Sequence, residues 1–278
     1  MSYWCDTLGM STRQVDVGGI STRIQSGGHG APLLLLHGRG GHLETWIRNA
    51  PALAERFQVF AIDLLGHGLT DRPADSRFDI ASLTRHVLDV LDTLALPAAH
   101  LVGQSLGGWV AAELALTEPD RVDRLALIEP AGLMSEAERL ADPIVANKYK
   151  TGGAAFDHPS RQAVRTRLSG LLQDPSTLDD EMVDVRWRLY QPAAAREVHK
   201  QVRKADNASW LLTLDRLCTL QARTLFLRGE DGHTPQAVVD QAIAACPDAH
   251  GLTVHGARQW PQYEQAGIVN AALIHHFI

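Results

Sequence analysis

Residues 99–109 read Ala99-His100-Leu101-Val102-Gly103-Gln104-Ser105-Leu106-Gly107-Gly108-Trp109, and an apolar run continues to Leu116. Ala99 to Val102 is a short run without alternation, the pattern of a strand buried on both faces. Trp109 to Leu116 reads as a helix. Between them stands G-x-S-x-G. By composition alone the bare motif would turn up in roughly one chain of this size in ten, so its context carries the weight. A serine on a strained strand-to-helix turn projects its hydroxyl from the sheet, and the flanking glycines let neighbouring backbone approach. The helix that follows aims its positive end at the same place. The plainer reading is a structural glycine turn with an idle serine.

Outward from this turn, the same doubly buried pattern recurs at Pro32 to Leu36, Phe57 to Ile62, Leu125 to Ile128 and Thr224 to Leu227, giving five core strands with the first. Val15 to Gln25, around Gly18-Gly19, reads as a hairpin. Ile80, Leu83, Val87, Leu88, Leu91 and Leu94 fall on one helical face, with Asp79 placed as its cap. Strand and helix alternate, so the class is α/β, a mostly parallel twisted sheet with helices on both faces. From 135 to 209 the strand signal stops. That segment holds 12 of the 26 Lys and Arg and 11 of the 32 Asp and Glu, so it is near +1 and the remainder near −7. It reads as an inserted helical lid with breaks at Gly152-Gly153, Pro159, Pro175 and Pro192, leaving 1–134 and 210–278 as the core.

The 278 residues are 45% apolar and 21% charged with a formal charge of −6, which excludes a disordered chain and, without any basic block, argues against nucleic acid as partner. No apolar run approaches the roughly 20 residues of a membrane span, and the start has no signal-peptide pattern. Cys5, Cys218 and Cys246 are odd in number and widely spaced, which suggests neither a disulfide framework nor a metal site. A cytoplasmic protein that uses no cofactor and acts on a small molecule is the expectation.

Two more segments belong with the serine. His37-Gly38-Arg39-Gly40-Gly41 follows the strand ending at Leu36, and an anionic tetrahedral intermediate needs preorganised N–H groups, which Leu106 and Arg39 would supply as an oxyanion hole. Otherwise it is a glycine-rich turn. Asp231, in Arg228-Gly229-Glu230-Asp231 after the strand ending at Leu227, is placed to orient a histidine; its plainer role is a helix cap or a solvated charge, with Glu230 the more exposed of the two.

The order Ser, Asp and then a histidine site, with His-Gly before and an insertion between, resembles the α/β-hydrolase fold over nearly the whole chain. Gly132-Leu133, Arg186-Trp187 and Trp260-Pro261-Gln262-Tyr263-Glu264 resemble, more narrowly, the meta-cleavage product hydrolases, which split carbon–carbon bonds in aromatic ring-fission products. The resemblance implies that Gly38, Gln104, Arg186 and Trp260 surround the substrate, with Arg186 at its acidic end, and that the protein forms a homodimer. It also implies ketonisation of a 2-hydroxy-6-oxo-dienoate and attack at its distal carbonyl. Without the resemblance, Arg186 would pair with Asp184 or Glu181 on a helix surface and Trp260 would fill the core.

In that family a histidine stands immediately before the tryptophan, whereas this chain has Gln259. Glutamine has no titratable nitrogen near neutral pH, so it cannot take the Ser105 proton and return it. With Ser105, Asp231 and Gln259 as the catalytic set, this form is expected to be nearly inactive. An introduced His→Gln change and a natural departure both fit. Rescue by His255 or His233 is the minor alternative. A carboxylesterase or lactonase, a catalytically silent binding protein, and cofactor-free oxygen chemistry stay open beside the carbon–carbon hydrolase.

Overall fold

Along Pro32–Leu36, alternate leucines enter opposite layers: Leu34 and Leu36 join one apolar cluster, Leu33 and Leu35 another. The same division runs through Phe60 and Ile62 against Val59 and Ala61, and Leu125 and Leu127 against Ala126 and Ile128. A strand with period-two side chains and no polar face must be covered on both sides. The computed structural model, which describes residues 2–278, builds this into eight strands. They are β1 Ser11–Val17, β2 Ile20–Gly27, β3 Pro32–Leu36, β4 Gln58–Ile62, β5 Ala99–Gln104, β6 Val122–Ile128, β7 Arg223–Gly229 and β8 Ala249–Val254, in spatial order β1-β2-β4-β3-β5-β6-β7-β8. β1 and β2 form the expected hairpin, β2 joins β4 antiparallel, and every later pairing is parallel.

The helices are α1 Tyr3–Asp6, α2 Ala50–Leu53, α3 Ile80–Thr93, α4 Leu106–Thr117, α5 Glu136–Leu140, α6 Pro143–Asp157, α7 Arg161–Ser169, α8 Asp180–Tyr190, α9 Ala193–Lys204, α10 Leu214–Leu217, α11 Gln236–Ala245, α12 Pro261–Glu264 and α13 Ala266–Phe277. Asp79 caps α3 by accepting from the Ser82 N–H, as its position predicts. His275 and His276 lie within the last helix, α13.

Three outcomes differ from the sequence reading. The five core strands are present, but β8 extends the parallel sheet beyond them; it is an edge strand with Gly251 and Leu252 exposed, so it carries no doubly buried run. β5 and α4 abut directly at Ser105, closer than the expected ends at 102 and 109. The expected break at Gly152-Gly153 is absent, because α6 runs through both glycines. A side chain at Gly152 would meet Arg167 Nη1 at 2.6 Å, and one at Gly153 would meet Arg203 Nη1 at 2.3 Å. These glycines make room for two guanidinium groups, which composition alone could not reveal.

From α5 to α9 the insertion is helical, and it meets the core through a third apolar cluster that joins Phe156, Val164, Leu168, Met182 and Tyr190 to Ile47, Trp260 and Tyr263. Asp179 fastens the seam, accepting from the hydroxyls of Tyr3 and Tyr263, each at 2.6 Å, and from Arg48 at 3.3 Å. Among the described residues no helix is long and apolar enough to cross a membrane, and no group of His, Cys, Asp and Glu is placed to hold a metal ion.

Candidate active site

Ser105 has φ 52° and ψ −113°, a sparsely populated conformation for a residue with a side chain, costing about 1 to 3 kcal/mol. Its surroundings impose it. The Ser105 N–H donates to the Ile128 carbonyl at 2.9 Å, and its own carbonyl accepts from Trp109 at 3.1 Å and Ala131 at 3.0 Å. A Cβ at Gly103 would stand 2.2 Å from the Gly107 carbonyl oxygen, and one at Gly107 would stand 2.2 Å from that of Leu36. Both motif glycines are therefore required by backbone contact, with the serine held between β5 and α4.

The His37 to Gly41 loop lies opposite. His37 is fully buried; its Nε2 accepts from the Leu64 N–H at 3.1 Å, so its Nδ1 carries the hydrogen and donates to Gly38 O at 2.8 Å. Burial, with His67 close by, holds this imidazole well below its ordinary range, so it is neutral and structural. A Cβ at Gly38 would meet Gln104 Oε1 at 2.3 Å and Ser105 Cβ at 3.2 Å, which is how closely the loop approaches the serine. The insertion grips the loop's carbonyls: Tyr190 OH donates to Gly40 O at 2.8 Å and Arg167 to Arg39 O at 3.3 Å. Leu106 opens α4, so its N–H has no partner within its own helix. Arg39 and Leu106 both line space beside Ser105.

Two clefts meet at Ser105. The first encloses about 930 Å³, mouth included, and its walls contain Gly38, Arg39, Gln104, Arg186, Gln259 and Trp260. The second, about 910 Å³, is bordered by Leu106, Trp109 and Met134. Of the sequence-derived site residues, only Asp231 lines neither. Its carboxylate is half exposed and lies 3.9 Å from Arg258, so a guanidinium answers the charge that a histidine was expected to meet.

Gln259 is buried, and its backbone is fixed at both ends: its N–H donates to Leu171 O at 3.0 Å, and its carbonyl accepts from Gln104 Nε2 at 3.1 Å. Its side-chain oxygen has no hydrogen-bond partner among the described residues. Of the two alternative histidines, His255 is exposed, bonds Glu230 at 3.1 Å and is absent from the cleft, whereas His233 lines it beside Ser105 and Gln259.

Arg186 is 1% exposed and does not sit on a solvated face. Asp184 pairs with Arg161 at 2.5 Å and Glu181 accepts from the Tyr3 N–H, leaving Arg186 to the cleft wall, 4.8 Å over the Trp260 ring. Arg186 donates to Thr45 Oγ1 at 3.1 Å and to His42 Nε2 at 3.0 Å. An arginine only donates, so His42 carries its hydrogen on Nδ1 and passes it to Glu44 at 2.7 Å. Burial, then the Arg186 charge, lowers the His42 imidazole to about 4. Burial alone would raise Glu44, but His42 and the bidentate Arg23, at 2.8 and 2.9 Å, hold it well below the usual carboxylate range. Arg23 in turn bonds the buried Asp63 at 2.6 Å, so a polar chain runs from β2 to the cleft.

The sequence reading missed two groups. Glu129, directly after β6 with φ 46°, borders the space by Ser105 and His233, and accepts from the Gly229 N–H at 2.8 Å. Burial pushes its carboxyl up to about 7 against that bond. The signal was there, in a glutamate ending the run Leu125 to Ile128. Arg139, Arg167 and Arg203 also line the cleft, but come from separate helices with no common motif.

Comparison with known proteins bears on the fold and family. A family model described as alpha/beta hydrolase fold matches residues 31–266. The chain is 29% identical over 265 residues to the 2-hydroxymuconate semialdehyde hydrolase of Pseudomonas sp. strain CF600, covering 91% of this chain and 89% of that protein. It is 27% identical over 261 residues to the 2-hydroxy-6-oxo-2,4-heptadienoate hydrolase of Pseudomonas putida strain F1, covering 91% of each. The meta-cleavage product hydrolase from Pseudomonas fluorescens IP01, solved as a serine-to-alanine mutant with acetates, superposes with a TM-score of 0.82 at 25% identity, over 97% of this chain and 98% of that one. Strained serine, flanking glycines, sheet order and family match together place the chain in the α/β-hydrolase fold family.

Proposed function

We propose that the site is that of a carbon–carbon hydrolase for 2-hydroxy-6-oxo-dienoate ring-fission products, with the base position disabled by Gln259. The observation that carries this reading is the Ser105 elbow facing a cleft with Arg186 and Trp260 in its wall, in a chain whose relatives are named for such hydrolysis. Arg186 takes the substrate carboxylate, and the N–H groups of Leu106 and Arg39 face the oxyanion that forms at the distal carbonyl. Ser105 assists addition there. Water supplies the hydroxyl to the acyl carbon and a proton to the departing dienol carbon. The proton relay is what Gln259 cannot perform, since an amide neither accepts nor returns a proton near neutral pH.

The test is Gln259→His beside the parent, following the visible absorbance of a dienolate with an aryl ester as control. The revertant is expected to bleach the dienolate, and the parent only to bind it. Ester cleavage without bleaching would replace this reading by an esterase. A second reading gives the base role to His233, because it lines the cleft with Ser105. In that case the parent itself turns over, and His233→Ala abolishes that turnover while Gln259→Ala does not.

A further inference from the structure

Among the described residues the first cleft's wall holds five arginines, Arg39, Arg139, Arg167, Arg186 and Arg203, together with His199 and His233, and no aspartate or glutamate, while the second cleft, which shares Arg39, Arg139 and Arg203, adds Glu136 and Asp206. This is a concentration of one sign in a chain whose formal charge is −6. The ion pairs of the described residues give these arginines a single acid, the exposed Glu136, 4.0 Å from Arg39 and 3.5 Å from Arg139. Arg203 and Arg39 both stand over the Tyr149 ring, at 3.8 and 5.0 Å from its centre. Arg167 spends two donors on the carbonyls of Gly152 and Arg39, and its buried Nε has no partner among the described residues. The two glycines of α6 are what admit Arg167 and Arg203 this close.

The charges feel one another. Burial lowers Arg39 to about 10, and Arg139 and Arg167 add to the lowering against Glu136. Burial likewise holds His199 far below its ordinary range, with Arg167, Arg39 and Arg203 adding to it. Like charges gathered in a partly dry cleft repel, and an anion relieves that repulsion. One carboxylate on Arg186 would leave the others unanswered. Arg39, Arg139 and Arg203 line both clefts where these meet at Ser105, whereas Arg186 lines only the first, against Thr45 and Trp260.

We propose that the cleft is built for a ligand with two anionic groups, one on Arg186 and the second on the Arg39, Arg139 and Arg203 cluster, with the reacting carbonyl between them at Ser105. This deepens the hydrolase reading and rests on it for the carbonyl alone. The substrate class is then a dienoate whose acyl end bears its own carboxylate, and the acid released is a dicarboxylate.

The test uses the parent protein and calorimetry at low salt, with glutarate, adipate and pimelate against hexanoate. The best dicarboxylate is expected to bind about tenfold more tightly than hexanoate, the scale of one charge-assisted contact, and to lose that advantage as salt rises. Arg203→Ala should remove the advantage, weakening the dicarboxylate about tenfold more than hexanoate, Arg203→Lys should keep most of it, and Arg186→Met should weaken both classes. Circular dichroism checks that each variant is folded. Equal binding of mono- and dicarboxylates, no binding of any dicarboxylate, or an advantage that survives Arg203→Ala overturns the proposal. Failure of the hydrolase reading looks different: the Gln259→His form would bind dienolates without bleaching them, while the dicarboxylate preference stayed in place.

Discussion

The loop after β5 and the loop after β8 face each other across the cleft, and they have kept different things. The first holds a serine in a strained backbone enforced by close carbonyl contacts at Gly103 and Gly107. The second holds its backbone as firmly, through Leu171 and Gln104, yet presents an amide whose oxygen meets no partner among the described residues. Fixing a loop and arming it are separate tasks. Backbone bonds do the first for any side chain of suitable size, whereas proton transfer depends on one titratable nitrogen.

The largest effect expected from this contrast is catalytic. In a Gln259→His background, Ser105→Ala should return dienolate turnover to the parent's level, a loss of up to on the order of a million-fold, because nucleophile and base act as a unit. Steady-state kinetics of the four combinations checks it. Independent, additive losses would mean that the two loops do not share one proton.

Next comes the framework itself. Gly103→Ala should destabilise the fold by about 3 kcal/mol, since its Cβ would be driven into the Gly107 carbonyl, as denaturant unfolding would measure. A cost well below that would show that the elbow can relax.

A third strand end separates burial from bonding. Glu129 holds its proton more tightly when folded, at about 7 against an ordinary 4.5. Its contribution is therefore fully present below about pH 4.5 and lost as pH rises to about 7, by about 3 kcal/mol. Relative to the parent, Glu129→Gln should gain stability across that window and stay constant above it. A flat difference between the two unfolding curves would show that the carboxyl is not the source.

The smallest effect concerns the outer face of the base loop. Glu230 bonds the exposed His255 and the Gly256 N–H, and Glu230→Ala should leave the thermal midpoint within about 2 °C. A larger shift would mean that the loop is held from outside as well as from within the cleft.

What could be read from the chain follows the same division. The five inner strands were legible because each is covered on both faces and shows as an apolar run; β8 was not, because it is an edge strand with exposed residues, Gly251 and Leu252, on both faces. Ser105, Gly38, Gln104, Gln259 and Trp260 were legible through local motifs and line one cleft. Asp231 has the expected place after β7, but its half-exposed carboxylate lines neither cleft and has Arg258 3.9 Å away, a placement set by side-chain direction and hidden from spacing. The arginine cluster was illegible because residues 39, 139, 167 and 203 are joined only by topology, and the glycines that admit two of them read as helix breakers.

Arg186 and Tyr190 sit one turn apart on α8, and both reach into the core, to His42 and Thr45 and to Gly40. They act as a double latch. All three bonds leave the same helix, and the one to His42 supplies the donor that fixes its tautomer. The arginine in the cleft wall is thus also a fastener between the helical insertion and the core.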